Sequence, residues 1–296
     1  MSAPARRARI GRRALAVGAL AIAALLLFSA VHRRGAGTPK PKPATTRATA
    51  SQRRARGHRG LPAAPVAVRG AAARRMRIPI LMYHVVSTPP PGTANPGLWV
   101  PEASFERHMR ALERAGYHAI TLRQAYDGWT KGAGLPRRPV VLSFDDGYLS
   151  HFTHARPVLR ALHWPGVLNL VLHNLGPDGI TAREVRSLLA NGWELDSHTI
   201  DHPDLTTLGA AELRRELVGS RRSLRRRFGV PVDFICYPSG RYDATVEAAA
   251  KAAGYRAGTT TDEGAATRGD LFALKRVRVD GGDSAAAVLG ELAAVR

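Results

Sequence analysis

Two adjacent carboxylates follow an apolar run near the middle of the chain. Residues 139–144 read PVVLSF, and Asp145, Asp146 and Gly147 come directly after them. In a parallel α/β barrel, reactive groups gather at the carboxyl ends of the strands. Consecutive residues of a strand point in different directions, so one aspartate can bind a metal ion while the other accepts a proton. A solvated Asp-Asp-Gly turn is the alternative interpretation, and the pair alone does not decide between the two.

A second apolar run ends in two histidines. Residues 192–196 read GWELD, and His198 and His202 follow with three residues between them. Two imidazoles at this spacing can coordinate one cation when they lie on a single helical turn or a tight loop. Together with Asp146 they would form a two-histidine, one-carboxylate site that leaves positions open for water and substrate. The sequence therefore predicts a divalent metal site formed by Asp146, His198 and His202.

Short apolar runs alternate with helical patterns from residue 78 to the end of the chain. This alternation predicts an α/β protein with a parallel sheet, and about 220 residues favour a distorted (β/α)7-8 barrel over an open sheet. Strands are predicted at 78–86, 118–122, 139–144, 166–172, 192–197, 232–237, 255–260 and 276–280. Helices are predicted at 103–116, 153–163, 181–191, 209–228, 243–253 and 284–294.

The two polar runs resemble the motifs of a known family. SFDDGY (143–148) and SHTIDHP (197–203) are similar to those of the NodB-homology polysaccharide deacetylases, carbohydrate esterase family 4. The resemblance covers residues 78–296. It implies that Asp145 is the general base and that Asp146, His198 and His202 hold a divalent metal, usually Zn²⁺. It also implies an acetylated glycan as substrate, with Tyr148 among the substrate-binding residues.

A third motif departs from the family pattern. Arg-x-Pro-aromatic-Gly appears here as CYPSG (236–240), with Cys236 in place of the arginine that orients the base. By the resemblance, the Ser239 backbone N–H helps to bind the oxyanion and Pro238 contributes to substrate binding. A small, packed role is expected for Cys236 itself. The arginines that could replace the missing one are Arg241, Arg276 and Arg278.

By the resemblance, the general acid would be a histidine of a late Leu-x-His motif, but no histidine follows His202, so another residue must supply the proton. The run PILMYHVV (79–86) resembles the circularly permuted branch that acts on poly-N-acetylglucosamine, in which the acid histidine comes first. His84 would then protonate the leaving amine, and a core histidine on a buried strand is the alternative. His173 is a second candidate for the acid, whereas His151 and His154 are expected to face solvent or the groove rim.

The net charge of +21 arises mainly before the predicted barrel. Eighteen of the 44 Lys and Arg residues precede residue 78, and no acidic residue does. Residues 14–31 carry no charge, so 1–31 is predicted to be a signal peptide or membrane anchor, with cleavage left open. Residues 32–77 are predicted to be a disordered basic linker. The rest of the chain is nearly neutral, which argues against nucleic acid as a partner. We expect the protein to be a monomer.

The predicted function is removal of N-acetyl groups from an N-acetylglucosamine-containing polysaccharide outside the cytoplasm. Trp99, in the Pro- and Gly-rich loop 88–101, is the best candidate for an exposed sugar-stacking platform. Two alternatives stay open, because the motifs do not separate them. One is an O-acetyl esterase of the xylan type on the same scaffold, and the other is a glycan-binding protein without activity.

Overall fold

Eight parallel strands form the centre of the computed structural model, which describes residues 66–295. Their spatial order is β1-β8-β7-β6-β5-β4-β3-β2, and an additional pairing joins β1 to β3. That pairing closes the sheet into a barrel, which confirms the predicted fold class. The strands are β1 (Ile80–Tyr83), β2 (His118–Ile120), β3 (Pro139–Asp146), β4 (Val167–Leu170), β5 (Glu194–Ser197), β6 (Phe234–Cys236), β7 (Ala257–Glu263) and β8 (Leu274–Arg278).

The closed ring has seven strands, because β2 and β4 share one edge of the long strand β3. Val141 pairs with β1 on one side and β2 on the other. Phe144 also pairs with β1, and its other partner is β4. Therefore β2 covers the first half of this edge and β4 covers the second half. The architecture is a (β/α)7 barrel with β2 as an extra strand outside the ring.

Helices follow most of the strands and cover the barrel. A capping box begins α3. The side chain of Thr121 accepts the backbone N–H of Gln124, and the side chain of Gln124 accepts the backbone N–H of Thr121. Sequence reasoning missed α3 and α1. The helices are α1 (Gly70–Arg74), α2 (Glu102–Arg114), α3 (Leu122–Lys131), α4 (Arg156–Ala161), α5 (Ala182–Ala190), α6 (Ala210–Arg214), α7 (Ser220–Phe228), α8 (Ala244–Ala252) and α9 (Ala285–Ala294), with π-helical segments at His151–Ala155 and Arg215–Gly219.

Alternation along β3 explains how the barrel presents its first aspartate. Leu142 and Phe144 belong to the large apolar cluster between the strands and the helices, whereas Val141 belongs to a second cluster inside the barrel. Side chains along a strand alternate between the two faces, so Asp145 shares the inward face with Val141. The lower barrel is thus filled with apolar side chains, and the polar residues lie towards the carboxyl ends of the strands.

The first described residues pack against the barrel, although the sequence predicts a linker up to residue 77. Val68 forms a bridge with Leu135, and Ala73 in α1 is fully buried. The boundary at 78 is therefore wrong by about a dozen residues, because the small residues of α1 can pack closely against α3. The predicted anchor (1–31) and the linker up to residue 65 lie outside the described residues. Within 66–295, no helix has the length and apolar character needed to cross a membrane.

Candidate active site

Asp146, His198 and His202 converge at the carboxyl ends of β3 and β5. The Nε2 atoms of His198 and His202 lie 3.6 and 3.9 Å from Oδ1 of Asp146. The two imidazole rings are 4.6 Å apart and nearly perpendicular. A carboxylate oxygen and two imidazole nitrogens grouped this closely can hold one divalent cation. The structure therefore brings together the three side chains that the sequence predicts as metal ligands.

The backbone is strained at these ligands. Asp146 has a φ of 73°, and Thr199 and His202 have φ values of 70° and 57°. Non-glycine residues rarely adopt this left-handed region, and each instance costs of the order of 1–3 kcal/mol unless the surroundings enforce it. Two of the three residues are the proposed ligands themselves. The strain thus lies where the chain must turn side chains towards a common point.

A hydrogen bond fixes the orientation of the His198 ring. Its Nδ1 donates to the carbonyl oxygen of Cys236 at 2.8 Å, so that Nε2 is the ring nitrogen facing Asp146. Metal-binding histidines commonly use this arrangement, in which one ring nitrogen is held by the protein and the other binds the metal. His202 is held through its backbone, whose N–H donates to Oγ1 of Thr199 at 3.0 Å.

Glu216 supports the loop between the two histidines. This fully buried residue lies in the π-helical segment Arg215–Gly219, and its Oε2 accepts the backbone N–H groups of Ile200 at 2.7 Å and Asp201 at 3.1 Å. Sequence reasoning missed it. The available signal was an acidic residue three positions after Leu213, on the apolar side of an amphipathic helix.

Replacing Glu216 with alanine is expected to weaken metal binding about 10- to 100-fold, the effect that loss of a supporting residue usually has. The reason is that the loop carrying His202 would lose two hydrogen bonds. Titration with Zn²⁺ against a competing chelator measures the effect. The matched control is Glu212→Ala, which removes an exposed carboxylate from the same helical region. Unchanged zinc affinity in Glu216→Ala would show that the loop holds its shape without this carboxylate.

Asp145 is buried in the barrel and surrounded by donors. Its Oδ1 accepts from Nδ2 of Asn169 at 2.7 Å and Nη1 of Arg276 at 2.9 Å, and its Oδ2 lies 2.8 Å from the same Nη1. Burial raises the pKa of Asp145, but the nearby Arg276 and His198 outweigh this effect and hold the pKa well below its usual range. The carboxylate is therefore ionised, as a proton acceptor must be.

Arg276 is the arginine that occupies the place left open by the third motif. It is almost fully buried, and its Nε donates to the carbonyl oxygen of Thr260 at 2.6 Å. Of the other two candidates, Arg278 pairs with Asp280 and Arg241 pairs with Asp204. The guanidinium group thus reaches the base from β8 instead of β6.

The small side chain of Cys236 is consistent with an arginine that comes from β8 and not from β6. Its Sγ lies 3.7 Å from Oδ2 of Asp145, inside the barrel, and the thiol is fully buried. The expectation of a packed cysteine is therefore confirmed. Cys236 also forms a second cluster of possible ligands with Asp145 and His198. Because Asp145 already contacts the Arg276 cation, this second cluster is the poorer place for a metal ion.

His84 follows β1 and lies beside the base. Its Nε2 is 3.9 Å from Oδ2 of Asp145, and 16% of its side chain is exposed. Burial lowers the pKa of His84, and the nearby Asp145 partly opposes the shift. His173, the second candidate for the acid, is 80% exposed and pairs with Asp201 instead. The structure thus places His84 beside Asp145 rather than in the apolar core.

His151 and His154 hold the segment that carries His84. His151 Nε2 donates to the carbonyl oxygen of His84 at 2.6 Å, and His154 Nδ1 donates to that of Val86 at 2.7 Å. Ser150 accepts the backbone N–H of Val86 at 3.1 Å. The expectation that both histidines face solvent or the rim is wrong for His151, which is fully buried because its ring packs against the aromatic core and supports the strand end.

The remaining predicted residues lie around this centre in different environments. Tyr148 is half-buried, and burial together with the neighbouring Asp146 raises its pKa. Ser239 is exposed in the turn after β6 and has a φ of 52°. Pro238 is buried in the same turn. Trp99 is half-buried, and its backbone forms a bridge with Val85.

Comparisons with known proteins agree with this geometry. The sequence profile of the polysaccharide deacetylase family matches residues 132–258. YxkH of Bacillus subtilis (strain 168), which is named as a polysaccharide deacetylase, is 33% identical over 213 residues, covering 71% of this chain and 74% of that protein. A poly-beta-1,6-N-acetyl-D-glucosamine N-deacetylase of Staphylococcus aureus (strain MRSA252) is 24% identical over 57% of this chain and 63% of its own.

Solved structures show the same fold. The deacetylase PplD of Streptococcus pyogenes, in complex with acetate, superposes with a TM-score of 0.70 and 26% identity, covering 73% of this chain and 98% of that one. BC0361, a polysaccharide deacetylase from Bacillus cereus, gives a TM-score of 0.67 and 27% identity over 74% of this chain and 69% of its own. Because the identity to YxkH extends over most of both proteins, this chain belongs to the polysaccharide deacetylase family.

Proposed function

We propose that this chain is a metal-dependent hydrolase that removes acetyl groups from the amide nitrogens of an N-acetylglucosamine-containing polysaccharide outside the cytoplasm. The observation that carries the proposal is the Asp145–Arg276 pair, which lies directly beside the cluster of Asp146, His198 and His202. The Staphylococcus aureus relative named for poly-N-acetylglucosamine supports the substrate class. The basic, then uncharged, segment 1–31 supports an extracytoplasmic location.

The donor set fits Zn²⁺, which binds imidazole nitrogens and carboxylate oxygens with open positions in its catalytic sites. His198 and His202 would supply the nitrogens and Asp146 the oxygen. When bound there, the cation would polarise the amide carbonyl and lower the pKa of a water molecule by several units. Asp146 and His202 are themselves in the strained left-handed region, and His198 directly precedes Thr199, which is strained as well.

Different side chains around the cluster accept and donate the protons of the reaction. Asp145 accepts the proton of the attacking water, while Asn169 and Arg276 keep its carboxylate in position. His84 passes a proton to the departing sugar amine and regains one from Asp145, whose Oδ2 lies 3.9 Å from its Nε2. The Ser239 N–H stabilises the oxyanion from the turn after β6. The products are acetate and a free amine.

His84→Ala is expected to lower kcat for N-acetylated oligosaccharides by about 10²–10³-fold, within the range of general acid catalysis. An aryl acetate such as 4-nitrophenyl acetate should lose much less activity, because its leaving group departs without a proton. Comparing kcat on the two substrates measures the contrast. His173→Ala is the matched control. An equal loss on both substrates would contradict the role of His84 as the acid.

The proposed reaction is tested by measuring acetate release by the full-length protein from N-acetylglucosamine oligomers, peptidoglycan and acetylated xylan. The proposal predicts release from at least one N-acetylated substrate and little from xylan. Release from xylan alone would favour an O-acetyl esterase. Metal and glycan binding without release of acetate from any substrate would favour a binding protein.

A further inference from the structure

Charge is distributed unequally between the two ends of the barrel, although residues 66–295 carry a similar number of basic and acidic side chains, 29 and 23. The connections that enter β1 to β7 lie at the amino end, which we call the basic end. They carry five arginines and one aspartate, Arg75, Arg77, Arg137, Arg138, Arg256 and Asp233. The connections that leave β1 to β6 and β8 lie at the carboxyl end, with the reaction centre. They carry six aspartates and one arginine, Asp178, Asp201, Asp204, Asp243, Asp280, Asp283 and Arg241.

The last turn of α7 adds to the basic end. Arg225, Arg226 and Arg227 are exposed there, and α7 ends just before the connection into β6. Within residues 66–295, none of these three side chains forms an ion pair. The one aspartate of the basic end, Asp233, is buried and already pairs with Arg123. The exposed positive charge at this end is therefore not neutralised by the protein itself.

The two ends are far enough apart to act as separate surfaces. Strand β3 has eight residues, which corresponds to a length of roughly 26 Å. Charges in water at physiological ionic strength are screened over about 8 Å. An anionic surface is thus attracted by the basic end and repelled by the aspartates of the carboxyl end, and the small net charge of the barrel describes neither.

The preceding part of the chain joins the barrel at the basic end. Val68 forms a bridge with Leu135, and Gly70 N–H donates to the carbonyl oxygen of Gly132 at 2.9 Å. Gly132 and Leu135 lie between α3 and β3, in a connection that enters a strand. The sequence before residue 66 includes the uncharged run 14–31, which is predicted to enter a membrane. The basic end is therefore the end that continues into the predicted membrane segment.

We propose that the basic end of the barrel docks on anionic lipid headgroups, so that the reaction centre points away from the membrane. Guanidinium groups bind phosphate oxygens through paired hydrogen bonds, and each basic residue near an anionic surface strengthens the attachment. Lipid is the favoured anion because the predicted membrane segment joins the barrel at this end. The inference goes beyond the proposed reaction and does not depend on it.

The test compares how close the two ends of the barrel come to a membrane in the full-length protein. A donor dye is attached either to Ala252→Cys, at the end of α8 and at the basic end, or to Ala210→Cys, at the start of α6 and at the opposite end. Both alanines are exposed, whereas Cys236 is fully buried and does not compete for the dye. Energy transfer to acceptor-labelled lipid is measured in vesicles of equal parts phosphatidylglycerol and phosphatidylcholine. We expect greater transfer from Ala252→Cys than from Ala210→Cys, and loss of this difference in vesicles of phosphatidylcholine alone.

The decisive variant is Arg75→Gln/Arg137→Gln/Arg226→Gln/Arg227→Gln, which removes four exposed charges from the basic end. The difference in transfer between the two dye positions should be lost in this variant on the anionic vesicles. Should the variant unfold, the wild type is measured in about 1 M NaCl instead, where screening over about 3 Å should abolish the same difference.

The matched control is Arg107→Gln/Arg183→Gln/Arg214→Gln/Arg222→Gln, which removes the same number of exposed charges from helix positions away from the basic end. It should keep the wild-type difference, which separates a local surface from an effect of net charge.

Equal transfer from the two dye positions on anionic vesicles would overturn the proposal. A difference that persists in the basic-end variant would also overturn it, because the preceding chain alone would then orient the barrel. Binding of soluble polyphosphate that is weakened by the basic-end substitutions, combined with equal transfer on vesicles, would assign this end to a phosphate polymer and not to lipid. Acetate release is not part of these readouts, so failure of the proposed reaction leaves the test intact.

Discussion

Replacing Arg276 with methionine is expected to lower the free energy of unfolding by about 3–5 kcal/mol, the usual cost of removing one partner from a buried ion pair. Arg276 and Asp145 are almost fully buried, and their charged groups lie 2.8 Å apart. Without the guanidinium, the carboxylate would have to stay charged inside the barrel or become protonated. Protonation would remove the proposed base, and a carboxylate that stayed charged would lose the contact that holds it in position, so acetate release should fall together with stability.

A second substitution separates the two effects of losing Arg276. The double variant Arg276→Met/Asp145→Asn should regain most of the lost stability, because no unpaired charge remains, yet it should stay inactive. Urea-induced unfolding at neutral pH measures the free energies. Arg278→Met, two residues along β8 and exposed, is the control and should unfold like the wild type. If Arg276→Met were as stable as Arg278→Met, the ion pair would not hold the base.

Asp145→Asn alone is expected to lower kcat for acetate release about 10²–10⁴-fold, the contribution that general base catalysis makes. The amide has the same shape as the carboxylate and can still accept from Arg276, but it cannot take a proton at neutral pH. Zinc affinity should change little, since the proposed ligands are Asp146, His198 and His202. Acetate release and zinc affinity, the latter by Zn²⁺ titration, are both measured on Asp145→Asn.

The control for this substitution is Asp178→Asn, which neutralises an exposed aspartate elsewhere on the protein. It should match the wild type in both readouts. Asp145→Asn that keeps full activity would exclude this carboxylate as the base. Loss of zinc binding in the same variant would instead assign Asp145 to the metal site.

The strands were predictable because each is a short apolar run between polar turns. The helix α3 was missed because glycine lies in its interior at residue 128, which normally weakens a helix. The structure explains this residue, since a Cβ at Gly128 would lie 2.4 Å from Leu135. The folded segment 66–77 was missed for a related reason. Its alanines resemble the composition of the preceding linker, and their packing partners, which include the surface of α3, come from distant parts of the chain.

The proposed metal ligands were predictable from local spacing, whereas the groups that support them were not. Arg276 and Arg278 lie on the same face of β8 by alternation, so the sequence could not choose between them. Only depth in the barrel distinguishes the buried Arg276 from the exposed Arg278. Glu216 posed a similar difficulty, because its partners Ile200 and Asp201 lie in the loop between the two histidines, which belongs to a different part of the chain. Such contacts depend on strand order and helix placement.

Metal dependence of the reaction is tested most directly by stripping the full-length protein with a chelator and measuring acetate release from an N-acetylglucosamine pentasaccharide before and after restoring Zn²⁺. We expect no release from the stripped protein and full recovery as the zinc is returned, with no recovery in His198→Ala. Acetate release by the metal-free protein at the original rate would contradict a metal-dependent deacetylase centred on Asp146, His198 and His202.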